Sequence, residues 1–222
     1  MLAKAATETQ ARERGRGGRP SRDDSARLSD RILEVATELF LRHGFGVTSI
    51  EAVAKRAGIS KRTFYHRFRS KEVLFEAVVR RLIQRWLPPF DQTMPQGLSL
   101  SETLGLIGGY MLKVALTPEA LALHRMVIAE AQRFPGLARI MHELGAATGI
   151  DLIARLFEKY MADGDMRTMD ARLAAEQFIM MVVTAPRRRA LGLGAVLSEE
   201  DLHFWVEFSV TLFLDGSRAP PS

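Results

Sequence analysis

The stretch that decides the fold is residues 28–71, which read LSDRILEVATELFLRHGFGVTSIEAVAKRAGISKRTFYHRFRSK. Apolar residues recur in its first part at the spacing of an amphipathic helix, from Leu28 to Phe40. Gly44 ends that helix, because glycine readily adopts the left-handed backbone that closes a helix. The stretch therefore begins with a helix that buries one face.

Hydroxyl residues mark the starts of three further helices in the same stretch. Thr48, with Glu51 three positions on, has the spacing of a capping box and predicts a second helix. Ser60 predicts a short third helix, and Ser70 predicts a fourth. The turn between the second and third helices contains Gly58, which completes the pattern of a helix-turn-helix.

The third helix carries more polar side chains than its own folding needs. Phe64 and Phe68 stand four residues apart and can hold it against the other helices. In a helix-turn-helix, this helix enters the major groove of double-stranded DNA and its first residues meet base edges. The side chains left to face outward are Lys61, Arg62, Thr63, Tyr65, His66 and Arg67. A helical bundle without a DNA-binding role is the alternative interpretation.

The run from Ser29 to Arg80 resembles the DNA-binding domain of the TetR family of regulators, over about a quarter of the chain. The resemblance implies that Thr48 holds phosphate and that Ser60 caps the recognition helix. The other contacts it implies are Arg62, Thr63 and His66 to bases, and Tyr65, Arg67 and Lys71 to the DNA backbone. The family often has Tyr-x-His-Phe where this chain has Tyr-His-Arg-Phe, so the division of roles between His66 and Arg67 stays open.

Charge is distributed unevenly along the 222 residues. Residues 1–86 hold 19 Lys and Arg against 10 Asp and Glu, whereas residues 87–222 hold 12 against 16. Clustered cations attract phosphates, so we expect a polyanion at the amino-terminal end only. Residues 1–25 have no apolar periodicity and predict a disordered basic arm. Within it, Arg16 and Arg19 resemble an AT-hook and predict insertion into a minor groove, unless the arm only raises non-specific affinity.

The remainder of the chain predicts helices only. We expect a DNA-binding domain over 26–72, a connecting helix over 73–87, and an effector-binding and dimerisation domain over 88–222. The later helices are predicted at 101–116, 118–134, 136–162, 171–191 and 199–215, which makes the fold all-α with about nine helices. The family resemblance implies the role of the last domain, and the segment from His124 to Gly192 resembles its AefR-like branch.

Two sets of residues are candidates for effector binding and dimerisation. Flexible Met side chains suit an irregular apolar pocket, although each could equally fill the core. The candidate pocket residues are Trp86, Met111, His124, Met126, Glu130, Phe178 and Met181. The apolar last two helices suit a four-helix dimer interface, although half of their residues could fill the monomer core. The candidate interface residues are Leu173, Phe204, Trp205, Phe208 and Leu212.

Several functional classes are excluded or disfavoured by what the sequence lacks. There is no Cys, hence no disulfide and no thiolate catalysis or metal ligation. We find no catalytic motif, and expect no enzyme, cofactor or metal. No apolar run is long enough to span a membrane, so we expect a cytoplasmic protein. The sequence thus predicts a homodimeric repressor that binds a pseudo-palindromic operator in DNA and releases it on binding a small apolar or amphipathic effector. A ligand-independent, architectural DNA-binding protein is the alternative.

Overall fold

A computed structural model describes residues 22–87 and 97–217, which form nine helices and no strand. The amino-terminal helices are α1 (Arg22–His43), α2 (Ile50–Ala57), α3 (Lys61–Arg67) and α4 (Lys71–Trp86). They are followed by α5 (Leu100–Ala115) and α6 (Pro118–Glu130). Helix α7 consists of Pro135–Met141, one π-helical turn at His142–Ala146, and Ala147–Ala162. The last two helices are α8 (Ala171–Ala190) and α9 (Glu199–Ser217). The all-α prediction is confirmed.

The amino-terminal helix is longer than the sequence predicts. The predicted arm extends to residue 25, but α1 begins at Arg22. Arg67 explains the difference, because its guanidinium donates to the Ser25 carbonyl at 2.9 Å and to Ser29 Oγ at 2.6 Å. These contacts hold the first turns of α1 against α3. The rest of the predicted arm, including Arg16 and Arg19, lies outside the described residues.

Most predicted helix ends are confirmed, but one cap is wrong. Ser60 and Ser70 are the N-caps of α3 and α4, and Gly58 closes α2 in the left-handed conformation. The N-cap of α2 is Ser49, whose side chain accepts from the Ala52 amide. Thr48 is buried instead, and its hydroxyl donates to a carbonyl of the preceding turn, so it cannot cap the helix.

Helix α8 continues through Pro186, as the helix predicted over 171–191 does, although proline disrupts the hydrogen bonds of a helix interior. Proline has no N–H, and therefore leaves the carbonyl of Val182 without its usual helical donor. The indole N–H of Trp205, on α9, donates to the carbonyls of Met181 and Val182, both at 3.1 Å. The contact satisfies the backbone at the proline and joins the last two helices.

Two hydrophobic cores hold the helices together, and they do not follow the boundary predicted at residue 87. The first core joins α1–α4 to α6 and the start of α7, through Leu123, Met126, Val127, Leu137 and Ile140. The second core is built from α5, α8, α9 and the second half of α7. Helices α6 and α7 thus share their packing with the amino-terminal helices.

In the described segments, no single helix is both long and apolar enough to cross a membrane. Helices α5 and α6 pass such a test only when taken together, and they are bent by 68° at their junction.

Candidate functional site

Helix α3 separates its packing residues from its polar ones. Phe64 is fully buried and Phe68 is nearly so, with their rings 5.8 Å apart. Tyr65 lies edge-on against Phe64 and stays 50% exposed. Lys61, Arg62 and His66 are exposed on the same helix. The short helix is therefore anchored by two phenylalanines and presents polar side chains to solvent.

The first turn of α3 is ordered by its cap and by an ion pair. Ser60 Oγ accepts from the Thr63 amide at 3.1 Å and lies 2.9 Å from the Thr63 hydroxyl. Lys61 pairs with Glu51 of α2 at 2.5 Å, and this contact lowers the pKa of the Glu51 carboxyl. Neither Arg62 nor His66 has a hydrogen bond or ion pair to any described residue. These two side chains, one helical turn apart, are available to a partner.

Two residues predicted to hold the DNA backbone make internal contacts instead. Arg67 is directed at α1, as described above. The ammonium of Lys71 donates to the carbonyls of Phe45 at 2.8 Å and Thr48 at 3.1 Å, and lies 4.4 Å from the centre of the Phe45 ring. Both side chains fix the positions of helices within the DNA-binding unit, because each bonds to a segment far away in sequence.

Thr48, the third residue predicted to hold phosphate, is also directed inward. Its hydroxyl lies 2.8 Å from the Gly44 carbonyl and 3.2 Å from the Leu39 carbonyl, and 4% of the residue is exposed. Ser49 is exposed at the start of α2 and replaces Thr48 at that position. Sequence reasoning missed Ser49 because two adjacent hydroxyl residues carry the same capping signal.

Glu130, predicted to contact an effector, binds the turn between α1 and α2. Both of its carboxylate oxygens accept from the Gly46 amide, at 2.9 and 2.8 Å. A Cβ atom at Gly46 would lie 2.7 Å from the carboxylate and 3.4 Å from the Phe134 ring. The Phe134 ring in turn packs edge-on against Phe45, with centroids 5.0 Å apart. The end of α6 therefore contacts the turn that precedes the DNA-binding helices, and an effector contact from Glu130 stays a prediction.

The other candidate pocket residues have different surroundings. Phe178 is fully buried between Phe157 and Phe213, so its observed place is the second core. Met126 is buried in the first core, while Met111 and Met181 pack at the edge of the second. The structure does not bring these side chains together around one described cavity. Effector contacts from Met111, Met126 and Met181 stay a prediction.

Trp86 ends α4 at the place predicted for a hinge contact. Its carbonyl accepts from the Tyr110 hydroxyl of α5 at 2.8 Å, and its side chain is partly buried against the first core. The end of α4 is thereby tied to α5. A role for Trp86 in effector binding remains untested.

His124 lies next to Arg187, the first of three consecutive arginines in the last turn of α8. Its Nδ1 is 3.5 Å from a guanidinium nitrogen of Arg187, which joins α6 to α8. Burial is the main cause that lowers the pKa of His124, and the positive charge of Arg187 lowers it further. Burial also lowers the pKa of Arg187. A partly buried cation therefore stands beside an imidazole that is neutral at neutral pH.

An open groove of about 510 Å³ lies between α1, α4 and α6. It includes Glu34, Glu38, Arg81, Arg85 and Glu119, with ion pairs across it that join Arg81 to Glu34 and Arg85 to Glu119. None of the predicted pocket residues lines it. Its paired charges make it a poor match for an apolar effector. Within the described part of the chain, no group of three or more acidic, His or Cys side chains could hold a metal ion.

An exposed apolar stripe runs along α8 and α9. Phe204, Phe208 and Leu212 are each more than half exposed at four-residue spacing on α9, and the two rings lie 6.2 Å apart. On α8, Leu173 is 55% exposed, and Met180, which the sequence analysis did not select, is 50% exposed. Trp205 is the exception among the predicted interface residues, because its indole is turned inward to the α8 carbonyls.

Both halves of the chain match known families. Residues 32–78 match the family described as bacterial regulatory proteins, tetR family. Residues 102–216 match the family described as AefR-like transcriptional repressor, C-terminal domain. The HTH-type transcriptional regulator UidR of Escherichia coli strain K12 is 34% identical over 116 residues, which cover 50% of this chain and 55% of UidR. The chain thus matches about half the length of this curated relative.

Solved structures resemble the whole described fold. A TetR-family transcriptional regulator from Mesorhizobium loti MAFF303099 superposes with a TM-score of 0.76 at 30% identity, covering 88% of this chain and 98% of that one. The Flavonoid-responsive Regulator FrrA superposes with a TM-score of 0.74 at 32% identity, covering 88% of this chain and all of that one. The similarity therefore extends through both cores.

Proposed function

Since the chain belongs to the TetR family of bacterial regulatory proteins, we propose that it is a homodimeric, cytoplasmic repressor that a small effector releases from operator DNA. The resemblance of Ser29–Arg80 to this family is confirmed, and so is the prediction that the chain is not an enzyme. The observation that carries the proposal is the exposed face of α3, where Arg62 and His66 have no partner among the described residues.

Operator binding follows from the way α3 is held. Ser60 and the buried Phe64 fix the helix, so its polar face needs no rearrangement before it enters a major groove. Arg62 can donate two hydrogen bonds to a guanine, and His66 lies on the same side one turn further on. Tyr65 and Ser49 flank this face and suit phosphate contacts. We assign Arg67 and Lys71 to holding the domain together.

A gel-shift experiment tests DNA binding directly. The DNA is the region upstream of the protein's own gene and of the adjacent gene, with random DNA as the competitor. Arg62→Ala should weaken operator binding by about 1–3 kcal/mol and relax the sequence preference at one position. Arg139→Ala is the matched control, since Arg139 is also an exposed arginine but lies on α7. An equal loss on operator and on random DNA would assign Arg62 to phosphate, and no binding to any fragment at low salt would reject the proposal.

Dimerisation through α8 and α9 is supported by their exposed apolar stripe. A contiguous surface of large apolar side chains is costly in water and usually marks an interface. A twofold axis beside this stripe would form a four-helix bundle and set two α3 helices to read a pseudo-palindrome.

The role of the apolar stripe is tested by introducing a charge into it and measuring the molar mass of the protein in solution. Leu212→Glu should convert the dimer into a monomer, as measured by light scattering during size-exclusion chromatography. Ile128→Glu is the control, because Ile128 is also an exposed aliphatic residue but lies on α6. A Leu212→Glu protein that remains dimeric at low concentration contradicts this interface.

Release by an effector is supported by the packing of α6 and α7. Both helices share the first core with the DNA-binding helices, so a ligand that shifts them also shifts the spacing of α3. The related FrrA is named a flavonoid-responsive regulator, and planar amphipathic compounds are therefore the first to titrate into the gel shift. Operator binding that no compound in a broad panel weakens would favour the ligand-independent alternative.

A further inference from the structure

Arg187 differs from the arginines that form ion pairs at the surface. Arg56, Arg81 and Arg85 lie near the surface, and each is paired with a glutamate. Arg187 is partly buried, and no carboxylate of residues 22–87 or 97–217 forms an ion pair with it. Among the described residues, its guanidinium meets only His124 Nδ1, at 3.5 Å, the outer limit of a hydrogen bond. A guanidinium has five N–H donors, so most of those of Arg187 have no acceptor in the described part of the chain.

The surroundings of Arg187 make this arrangement costly without a ligand. A buried charge is destabilising unless it is paired, and an imidazole without charge cannot balance it. On α8, the preceding residue Pro186 is buried, and on α6 the residue before His124 is Leu123, which is 1% exposed. Both residues thus follow buried positions on their helices, and the pair joins α6 of the first core to α8 of the second.

We propose that Arg187 and His124 bind the acidic group of the effector, which is an amphipathic organic anion such as an aromatic carboxylate. This inference rests on the proposed function, because it names the chemistry of the ligand that releases the DNA. Arg187 supplies the charge and a planar pair of donors that match a carboxylate. His124, held neutral, adds a hydrogen bond to the same group. A ligand at this position would bridge α6 and α8, and α6 carries the Glu130 contact to the α1–α2 turn.

The test compares two probes that share a naphthalene ring, one with a carboxylate and one with a neutral hydroxymethyl group. The neutral dye N-phenyl-1-naphthylamine reports by its fluorescence on binding beside His124 and Arg187, where we expect 2-naphthoate or the neutral 2-naphthylmethanol to displace it. For the wild-type protein we expect the carboxylate to displace the dye at about tenfold lower concentration than the alcohol. This ratio corresponds to the free energy that one charge-assisted hydrogen bond contributes to binding. Wild-type protein that binds neither compound, or that binds the alcohol as tightly as the carboxylate, overturns the inference without any variant.

Variants then locate the charge. Arg187→Gln should remove the preference for 2-naphthoate and leave dye binding within about twofold, while Arg187→Lys should keep part of the preference. Arg188→Gln is the matched control, because Arg188 is the exposed neighbour on the same helix. An unchanged preference in Arg187→Gln, or an equal loss in Arg188→Gln, contradicts the assignment. Neutral compounds that release operator DNA as well as anions do would reject this site and leave the proposed repressor function standing.

Discussion

The contact between Glu130 and Gly46 gives the sharpest prediction for the amino-terminal core. Glu130→Ala removes a charged acceptor from a backbone amide that is otherwise partly buried. A hydrogen bond to a charged group contributes about 1.5–3 kcal/mol, and partial exposure places this one at the lower end. The free energy of unfolding falls by about 2 kcal/mol for each molar of urea, so a loss of about 2 kcal/mol in stability lowers the urea midpoint by about 1 M. Glu130→Gln keeps one acceptor oxygen and should lose about half as much.

The assay is urea unfolding followed by circular dichroism at one fixed protein concentration, because dimerisation would otherwise shift the midpoint. Glu143→Ala is the matched control: Glu143 is an exposed glutamate on α7, 4.0 Å from Arg139. Exposed pairs of that kind contribute little, so its midpoint should barely change. If Glu130→Ala shifts the midpoint no further than Glu143→Ala does, the contact does not stabilise the fold.

A double substitution separates this contact from general damage to α6. Gly46→Ala places a Cβ atom 2.7 Å from the Glu130 carboxylate and so displaces it. Because the contact is then already broken, Glu130→Ala should cost less than half as much in the Gly46→Ala background. Additive losses would show that the two residues act independently.

Three further outcomes follow from the packing. Ser49→Ala should lower stability by about 1 kcal/mol through the lost α2 cap, measured by urea unfolding; a change within error would contradict the cap. Trp205→Phe should cost about 1–2 kcal/mol, and less in a Pro186→Ala background, where a restored N–H can donate to the Val182 carbonyl. Because the pKa of His124 is lowered in the folded protein, the imidazole binds a proton more readily in the unfolded chain once the pH falls below about 6.5. The free energy of unfolding should therefore fall at acidic pH, and it should fall less in His124→Gln. An identical pH dependence in wild type and variant would exclude His124 as a cause.

The sequence predicts those features whose cause is local. The caps at Ser60 and Ser70 are confirmed because a single hydroxyl stands before each helix. Thr48 and Ser49 offer two hydroxyls in a row, and the choice between them depends on the burial of Thr48 beneath the carbonyl of Leu39, nine residues away. The residues next to Thr48 in the sequence do not indicate that its side chain is buried.

The internal contacts that the sequence does not predict join residues that are distant along the chain. The partner of Glu130 lies 84 residues away and the partner of Arg67 42 residues away, so neither contact has a signal in the spacing of motifs. The run of three arginines that begins at Arg187 is more typical of a solvated helix end than of a partly buried charge. The partial burial of Arg187 emerges only when α6 and α8 are placed side by side.

The sharing of the first core has a practical consequence for anyone who wishes to isolate the DNA-binding half. A fragment that stops after residue 87 would lack Leu123, Leu137 and the Phe134 ring, and would leave one side of Phe45 open to water. Such a fragment would be an incomplete fold, prone to aggregate and unsuitable as a minimal reagent for operator studies. The shortest independently stable piece has to continue at least through the first turns of α7.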